Sequence, residues 1–179
     1  MSAPERPPKR DMLDRLLVRV PSLAGLIAGR ILRLPPGSSL RRRMIGFQVK
    51  RGFAAMARSD VEVVVLGYEP DAEVWMRSMA GVGMSDCYRG REGVRAVYAE
   101  VDDVFEDWQW TIRDIADGGD RLAIRGDFVG HGRGSGVQTA LNDGGTALKL
   151  STQGLIAWQE WFVEPGGWEK ALEAVGLAE

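Results

Sequence analysis

The chain has 179 residues, of which 45% are hydrophobic and 27% charged, and a formal net charge of −2. That is room for one domain with a full core plus an extension, in the ordinary composition of a soluble globular protein. With Cys87 the only cysteine and His131 the only histidine, an intrachain disulfide is excluded and a zinc cluster would have one thiol and one imidazole to draw on, too few; no metal and no cofactor are expected.

The small net charge hides an asymmetry. Residues 1–51 carry 12 Lys/Arg against three Asp/Glu, and the remainder 11 against 22. A basic arm on an acidic body can fold back onto that body, pack on a second subunit or touch an anionic surface. Met1–Lys9 has three prolines and no apolar stretch of signal-peptide type, and Leu23–Leu34 is too short to cross a bilayer, so cytoplasmic residence is the default. The arm alone would have to carry nucleic-acid binding, which the acidic body opposes; none is expected.

Residues 1–9 read as disordered: polar, proline-rich and terminal. From Arg10 or Asp11 a short helix runs to Val20, with Leu13, Leu16, Leu17 and Val20 at helical spacing, and Pro21 ends it. Ser22 is positioned to cap a second helix, Leu23–Leu34, which Pro35-Pro36-Gly37 closes. Ser38 or Ser39 caps a longer helix from Leu40 to about Met56. Its first turn holds Arg41-Arg42-Arg43, where the helix dipole disfavours cations, so these arginines call for an acidic or anionic partner, against the commoner solvated basic patch.

Asp60 is the expected cap of a short helix to Tyr68, with strand as a competitor because Val61, Val64 and Val65 are β-branched. Ala72–Met79 reads as a strand and Gly90–Phe105 as an amphipathic helix. Four strand candidates follow: Asp107–Ile115, Arg121–Arg133, Thr146–Thr152 and Leu155–Val163. Asp117–Asp120 and Asn142–Gly145 are loop signals, Gln153-Gly154 fits a hairpin turn, and a last helix Trp168–Val175 stops at Gly176. Helices first and hairpin-linked strands afterwards give an α+β fold with a mostly antiparallel sheet.

Three stretches carry a resemblance. Tyr88-Arg89-Gly90-Arg91-Glu92-Gly93-Val94 looks like a G-x-x-G-[IV] start to a third helix, Gly130–Gly136 is a glycine-rich strand end, and Gln153-Gly154 before Leu155–Phe162 and then Ala171-Leu172 resembles a closing hairpin and helix. In this order they resemble the nuclear-transport-factor-2-like superfamily, its SnoaL-like branch most closely. The resemblance covers residues of about 40–177. It implies a cone: a curved antiparallel sheet wrapped around N-terminal helices, with an internal pocket. The domain is then 40–179, and 1–39 is a basic helical extension.

The same resemblance implies a small-molecule pocket protein. It is either a cofactor-free isomerase, cyclase or hydrolase using an acid/base carboxylate, or a non-catalytic ligand-binding or dimerisation module with a filled pocket. Arg125 and Asp127 lie two apart on one strand and share a face. With Gly119-Asp120 they are similar to a limonene-epoxide-hydrolase motif, although Trp161 stands where that family keeps a second acid and Glu160 is one residue off, on the other face. Asp127 is the candidate base, Arg125 its orienter and His131, on the same alternation, a second candidate; a structural ion pair and a partly exposed histidine are the plainer readings. Trp75, Tyr98, Trp108, Trp110 and Trp161 are the candidate ligand wall, against plain core packing, for a small apolar or aromatic molecule. Tyr68, Tyr88 and Tyr98 are candidate hydrogen-bond donors to a carbonyl, with nothing to single one out. A homodimer through the sheet face is expected, and contact of the arm with a membrane surface is an alternative.

Overall fold

The computed structural model describes residues 9–82 and 84–178. Of the segment expected to be disordered, residues 1–8 lie outside the described range.

Two helices make the N-terminal arm. Helix α1 (Met12–Arg19) begins where the Asp11 carboxylate accepts the Asp14 N–H at 2.7 Å. Helix α2 (Ser22–Leu32) is preceded by Pro21 at the capping position, so Ser22 sits inside the first turn and caps nothing. The long α3 (Ser39–Ala57) starts as expected, with Ser38 Oγ accepting the Arg41 N–H at 3.3 Å. A single turn, α4 (Val61–Val64), leads through a 3-10 turn to strand β1 (Tyr68–Trp75). The competing strand at 61–65 does not form. Asp60 makes no capping bond because its carboxylate is taken by Arg10 and Arg58.

Beyond β1 the chain turns through a 3-10 segment, Arg77–Val82, and not through the strand continuation expected to Met79. Strand β2 (Cys87–Arg89) has three residues, too few for any alternation to be read from sequence. Helix α5 (Gly90–Val104) follows at once. Gly90 holds φ 66° where an added Cβ would meet the Pro70 carbonyl oxygen at 2.8 Å, and a Cβ at Gly93 would meet the Tyr88 backbone at 2.9 Å, which accounts for the G-x-x-G spacing. Strands β3 (Phe105–Asp117), β4 (Arg121–Gly132), β5 (Gln138–Leu150) and β6 (Ile156–Phe162) form a meander, and α6 (Gly167–Ala174) ends it.

One loop signal was misleading. Asn142–Gly145 lies inside β5, where a bulge opposite Asp127 absorbs the turn residues: Asp143 takes φ 68°, and Gly144 and Gly145 pair with Gly126 and Arg125.

The sheet is curved and open, in the order β2-β1-β6-β5-β4-β3, antiparallel except for β1 against β6. Its concave side takes α2, α3 and α5. Val94, Val97, Tyr98 and Val101 of α5 join Tyr68, Val74, Phe105, Trp110, Phe128 and Trp161 in the main core. Ile31 and Ile45 of α2 and α3 pack on Leu122, Ile124 and Leu148. On the convex side α6 lays Ala171 and Val175 over the paired Ala123 and Ala147.

The arm is fastened at three places. In α1, Asp14 is buried between Arg51 Nε at 2.9 Å and Arg58 Nη2 at 2.5 Å, and Arg10 reaches Asp60. Helix α2 rests on the β5–β6 turn, where a Cβ at Gly154 would be 2.5 Å from the Ala28 carbonyl. The third fastening is Arg41, 1% exposed. Its guanidinium donates to Asp117 at 2.7 and 2.9 Å, to the carbonyls of Leu32 and Leu34 at 2.7 and 3.1 Å, and to the Gly119 carbonyl. One of the three arginines at the start of α3 thus has the acidic partner its position called for, while Arg42 and Arg43 remain exposed.

Replacing Arg41 by Ala orphans Asp117 and the α2 carbonyls. The expected loss is about 3–5 kcal/mol in chemical denaturation, and a loss below about 1 kcal/mol would refute the joint. The Asp60 carboxyl is held below its ordinary value of 3.8, first by its hydrogen bond with Arg10 and then by Arg58. A carboxyl lowered in the folded state stabilises the docked arm above its unfolded pKa, and that contribution disappears as pH falls below it. On acidification, limited proteolysis is expected to cut between α1 and α3 before far-UV circular dichroism shows loss of the sheet; simultaneous loss contradicts this.

Candidate functional site

Two cavities lie between the helices and the sheet. The larger, about 190 Å³, is bounded by α2 and α3 on one side and by β4, β5 and β6 on the other. Its walls are aliphatic: Ile27 and Ile31 from α2, Ile45 and Val49 from α3, and Ile124 and Leu148 from the sheet. At one end the wall turns polar. Tyr68, at the start of β1, donates its hydroxyl to Gln159 Oε1 at 2.5 Å. Gln159 Nε2 donates to Thr146 Oγ1 at 3.2 Å, and that hydroxyl donates to the Glu160 carbonyl at 3.1 Å. Tyr98 presents its own hydroxyl to that of Tyr68. Burial raises both phenols, Tyr68 being helped back by Tyr98 and Gln159 and Tyr98 driven further up by Tyr68, so both stay neutral donors.

The second cavity, about 40 Å³, is what the aromatic side chains leave of the cone. Trp108 and Trp110 share the concave face of β3, as their spacing required, and Trp161 joins them from β6. Trp110 meets Trp161 edge to face at 5.2 Å, Tyr98 stacks on Trp108 at 6.1 Å, and Phe105 meets Phe128 at 5.2 Å. Four of the five expected wall residues therefore converge, packing on one another around a small void. Trp75 does not join them: it lies under the Arg77 guanidinium at 4.1 Å and donates to Glu73 at 3.3 Å.

The indole of Trp110 lies across the Gly126–Gly144 pair. A Cβ at Gly126 would stand 1.9 Å from Trp110 Nε1, and one at Gly144 2.7 Å from the far edge of the ring. The loop-like glycines of β5 thus make a flat bed for a tryptophan.

Arg125, Asp127 and His131 share a face of β4, as expected, and it is the convex one. Leu122, Ile124 and Phe128 turn inward, so the residues between them turn out. Arg125 does not orient Asp127 directly. It pairs with Asp143 at 2.5 Å, while Asp127 accepts from Arg113 Nε at 2.6 Å and from the Asp143 N–H at 3.2 Å. These bonds, Arg113 foremost, lower the Asp127 carboxyl. His131 Nδ1 is 2.6 Å from Asp107, with 37% of its side chain exposed. None of the three lines either cavity. Glu160 also points away from the concave side, as its one-residue offset implied, and pairs with Arg77 at 2.8 Å.

Two cavity features went unread in the sequence. In the sequence Tyr68 is one of three tyrosines without distinction, and Gln159 belongs to no motif. The available signal was the position of Gln159, an inward polar residue among aromatics, which requires a buried partner.

The sequence profile of the SnoaL-like domain matches residues 49–159. The chain belongs to the SnoaL-like family. Solved structures agree on the fold, which is nuclear-transport-factor-2-like. TerC, co-crystallised with polyporic acid, is 20% identical, with a TM-score of 0.58 over 70% of this chain and 95% of its own. A ketosteroid-isomerase-like protein from Catenulispora acidiphila, in complex with trimethylamine, is 19% identical, with a TM-score of 0.57 over 72% and 92%. A SnoaL-like polyketide cyclase, so described, from Shewanella denitrificans is 16% identical, with a TM-score of 0.54 over 73% and 98%. A search of curated proteins finds no significant match. The SnoaL-like match begins at residue 49, so α1, α2 and the first half of α3 lie outside it.

Gly126→Ala tests the tryptophan bed. The added methyl is expected to displace Trp110 and cost about 1–3 kcal/mol, with a change in tryptophan fluorescence; a variant as stable as the parent, with the same spectrum, contradicts the packing.

Proposed function

We propose that this SnoaL-like protein binds a small, elongated apolar molecule in the larger cavity, with one oxygen of the ligand meeting the Tyr68–Gln159 pair. The observation that carries the reading is the cavity itself: about 190 Å³ of mainly aliphatic wall with the hydrogen-bonded Tyr68–Gln159 pair at one end. Pockets of this kind take their affinity from burying apolar surface and their orientation from a few polar contacts. Tyr68 gives its one proton to Gln159 Oε1, so its neutral hydroxyl is suited to accept from a ligand hydroxyl, while the second Nε2–H of Gln159 is suited to donate to a ligand oxygen.

Binding is favoured over acid/base catalysis by the chemistry of the wall. Isomerisation, cyclisation or hydrolysis by a carboxylate needs that carboxylate, or an imidazole, within hydrogen-bond reach of the ligand. Among the described lining residues the ionisable side chains are Arg41, Arg51 and Tyr68. Both arginines are engaged, with Asp117 and Asp14. Asp127, Arg125 and His131 serve this reading as a convex-face ion-pair system, and nothing in it requires them to touch the ligand.

The test is a fluorescence titration with an environment-sensitive apolar probe, followed by displacement with long-chain alcohols and ketones. Ala24→Phe, which fills the cavity from α2, is expected to abolish probe binding. Tyr68→Phe is expected to weaken oxygenated ligands about 5- to 10-fold while leaving a plain hydrocarbon unaffected. Asp127→Asn is expected to change neither. Probe binding that survives Ala24→Phe, or falls with Asp127→Asn, would place the ligand elsewhere and overturn the reading.

A further inference from the structure

The helices that close the cavity have a second side, and its composition is distinct from the rest of the surface. Six of the eight exposed large hydrophobic residues among the described residues lie on α1–α3 or at the end of α1: Met12, Leu16, Val20, Leu26, Leu40 and Phe47. Met12 is 87% and Phe47 54% exposed. Between residues 12 and 51 the one acidic residue, Asp14, is buried, so every exposed charge there is positive: Arg15, Arg19, Arg30, Arg33, Arg42, Arg43 and Lys50. Among the described residues none of these seven pairs with a carboxylate.

The two kinds of residue share helical stripes. On α1, Met12, Leu16 and Val20 alternate with Arg15 and Arg19, opposite the buried Asp14 and Leu17. On α2, Leu26, Arg30 and Arg33 face away from Ile27 and Ile31, which line the cavity. On α3, Leu40, Arg43, Phe47 and Lys50 follow at helical spacing, away from Ile45 and Val49. Each helix thus gives one side to the cavity and an apolar, cationic side to solvent.

We propose that the outer side of α1–α3 docks on the surface of an anionic lipid bilayer, with the apolar side chains in the headgroup boundary and the arginines on lipid phosphates. Apolar residues interleaved with cations on amphipathic helices are the pattern of interfacial binding, and unpaired Lys and Arg supply the attraction to anionic lipid. Nucleic acid would use the cations and leave Met12, Leu16, Leu26, Leu40 and Phe47 without a role. The contact is superficial, since among the described residues no helix is long and apolar enough to cross a membrane. Within the arm, Ile27 and Ile31 of the apolar stretch Leu23–Leu34 face the cavity, so the membrane-facing residues are drawn from all three helices. The proposal is independent of what the cavity binds.

The experiment is flotation of the full chain with vesicles of phosphatidylcholine alone and of phosphatidylcholine enriched in phosphatidylglycerol, at low and high salt. The expected result is binding to the anionic vesicles at least about tenfold tighter than to the neutral ones, weakening as salt is added. A charge variant, R15E/R19E/R43E, is expected to lose the anionic preference. An apolar variant, M12S/L16S/F47S, is expected to bind more weakly at both salt concentrations. All six positions are exposed, and an unchanged melting temperature and circular dichroism spectrum certify the fold. No binding to either vesicle, equal binding to both, or binding that survives both variants overturns the proposal. So does a parent protein that ignores vesicles but forms a dimer, by light scattering, that the same variants dissociate; the stripe would then be a contact between copies.

Discussion

Arg41 is the buried joint that ties the end of α2, and with it one wall of the cavity, to the sheet. A buried guanidinium is costly unless every donor is satisfied, and here all five are met by Asp117 and by carbonyls at the end of α2 and in the β3–β4 turn. Of these carbonyls, that of Leu32 is the last acceptor of α2, without a helical donor of its own. One side chain therefore solves two desolvation problems and joins the α2–α3 corner to the end of β3, 76 residues away in sequence. A lysine, with three donors on a flexible stem, could not reproduce the fork that grips Asp117. Each neighbouring feature leans on this joint: α2 on the β5–β6 turn, the aliphatic roof of the cavity, and the outward stripe of Leu26, Arg30 and Arg33.

A second constraint decides where empty space can remain. The cone of this fold narrows into aromatic rings packed on one another, and the bed on which Trp110 lies is possible only because β4 and β5 carry glycine at the same level. Interiors close to this density leave little room. The larger void is displaced toward the end of the sheet where aliphatic residues of α2 and α3 face Leu122, Ile124 and Leu148, with Tyr68 and Gln159 at the junction of the two regions.

Most of this architecture was legible in the sequence because it rests on local rules. Asp11 is readable as the start of α1, Ser38 as a cap and Pro35-Pro36-Gly37 as a stop, while the G-x-x-G start of α5 is legible through the family resemblance; the pairing of faces on β3, β4 and β6 follows from a period of two. What escaped depended on contacts distant in sequence. Asp60 was drawn from its capping role by Arg10, fifty residues away, and the loop chemistry of Asn142–Gly145 was overruled because a tryptophan of β3 needed the glycines flat. Alternation put Arg125, Asp127 and His131 together but did not say on which face. The apolar partners Ile124 and Phe128 held that information, since a strand with one buried side buries the apolar set. The sheet obeyed the hydrophobic pattern, leaving the polar set outside.

The split between what this chain shares and what it adds bears directly on function. Residues 49–159 carry the SnoaL-like match, and TerC and the Catenulispora acidiphila protein are covered over 95% and 92% of their length while 70% and 72% of this chain is used. Yet about a third of the cavity wall comes from residues before 49, including the whole contribution of α1 and α2. A ligand in that cavity would touch the extension as much as the sheet. Its shape is therefore set by a segment that lies outside the family match, and activities known for the fold transfer to this protein only so far as they do not depend on that wall. The same segment bears the outward cationic stripe, so the helices that determine what can enter are also those that determine what the protein can rest against.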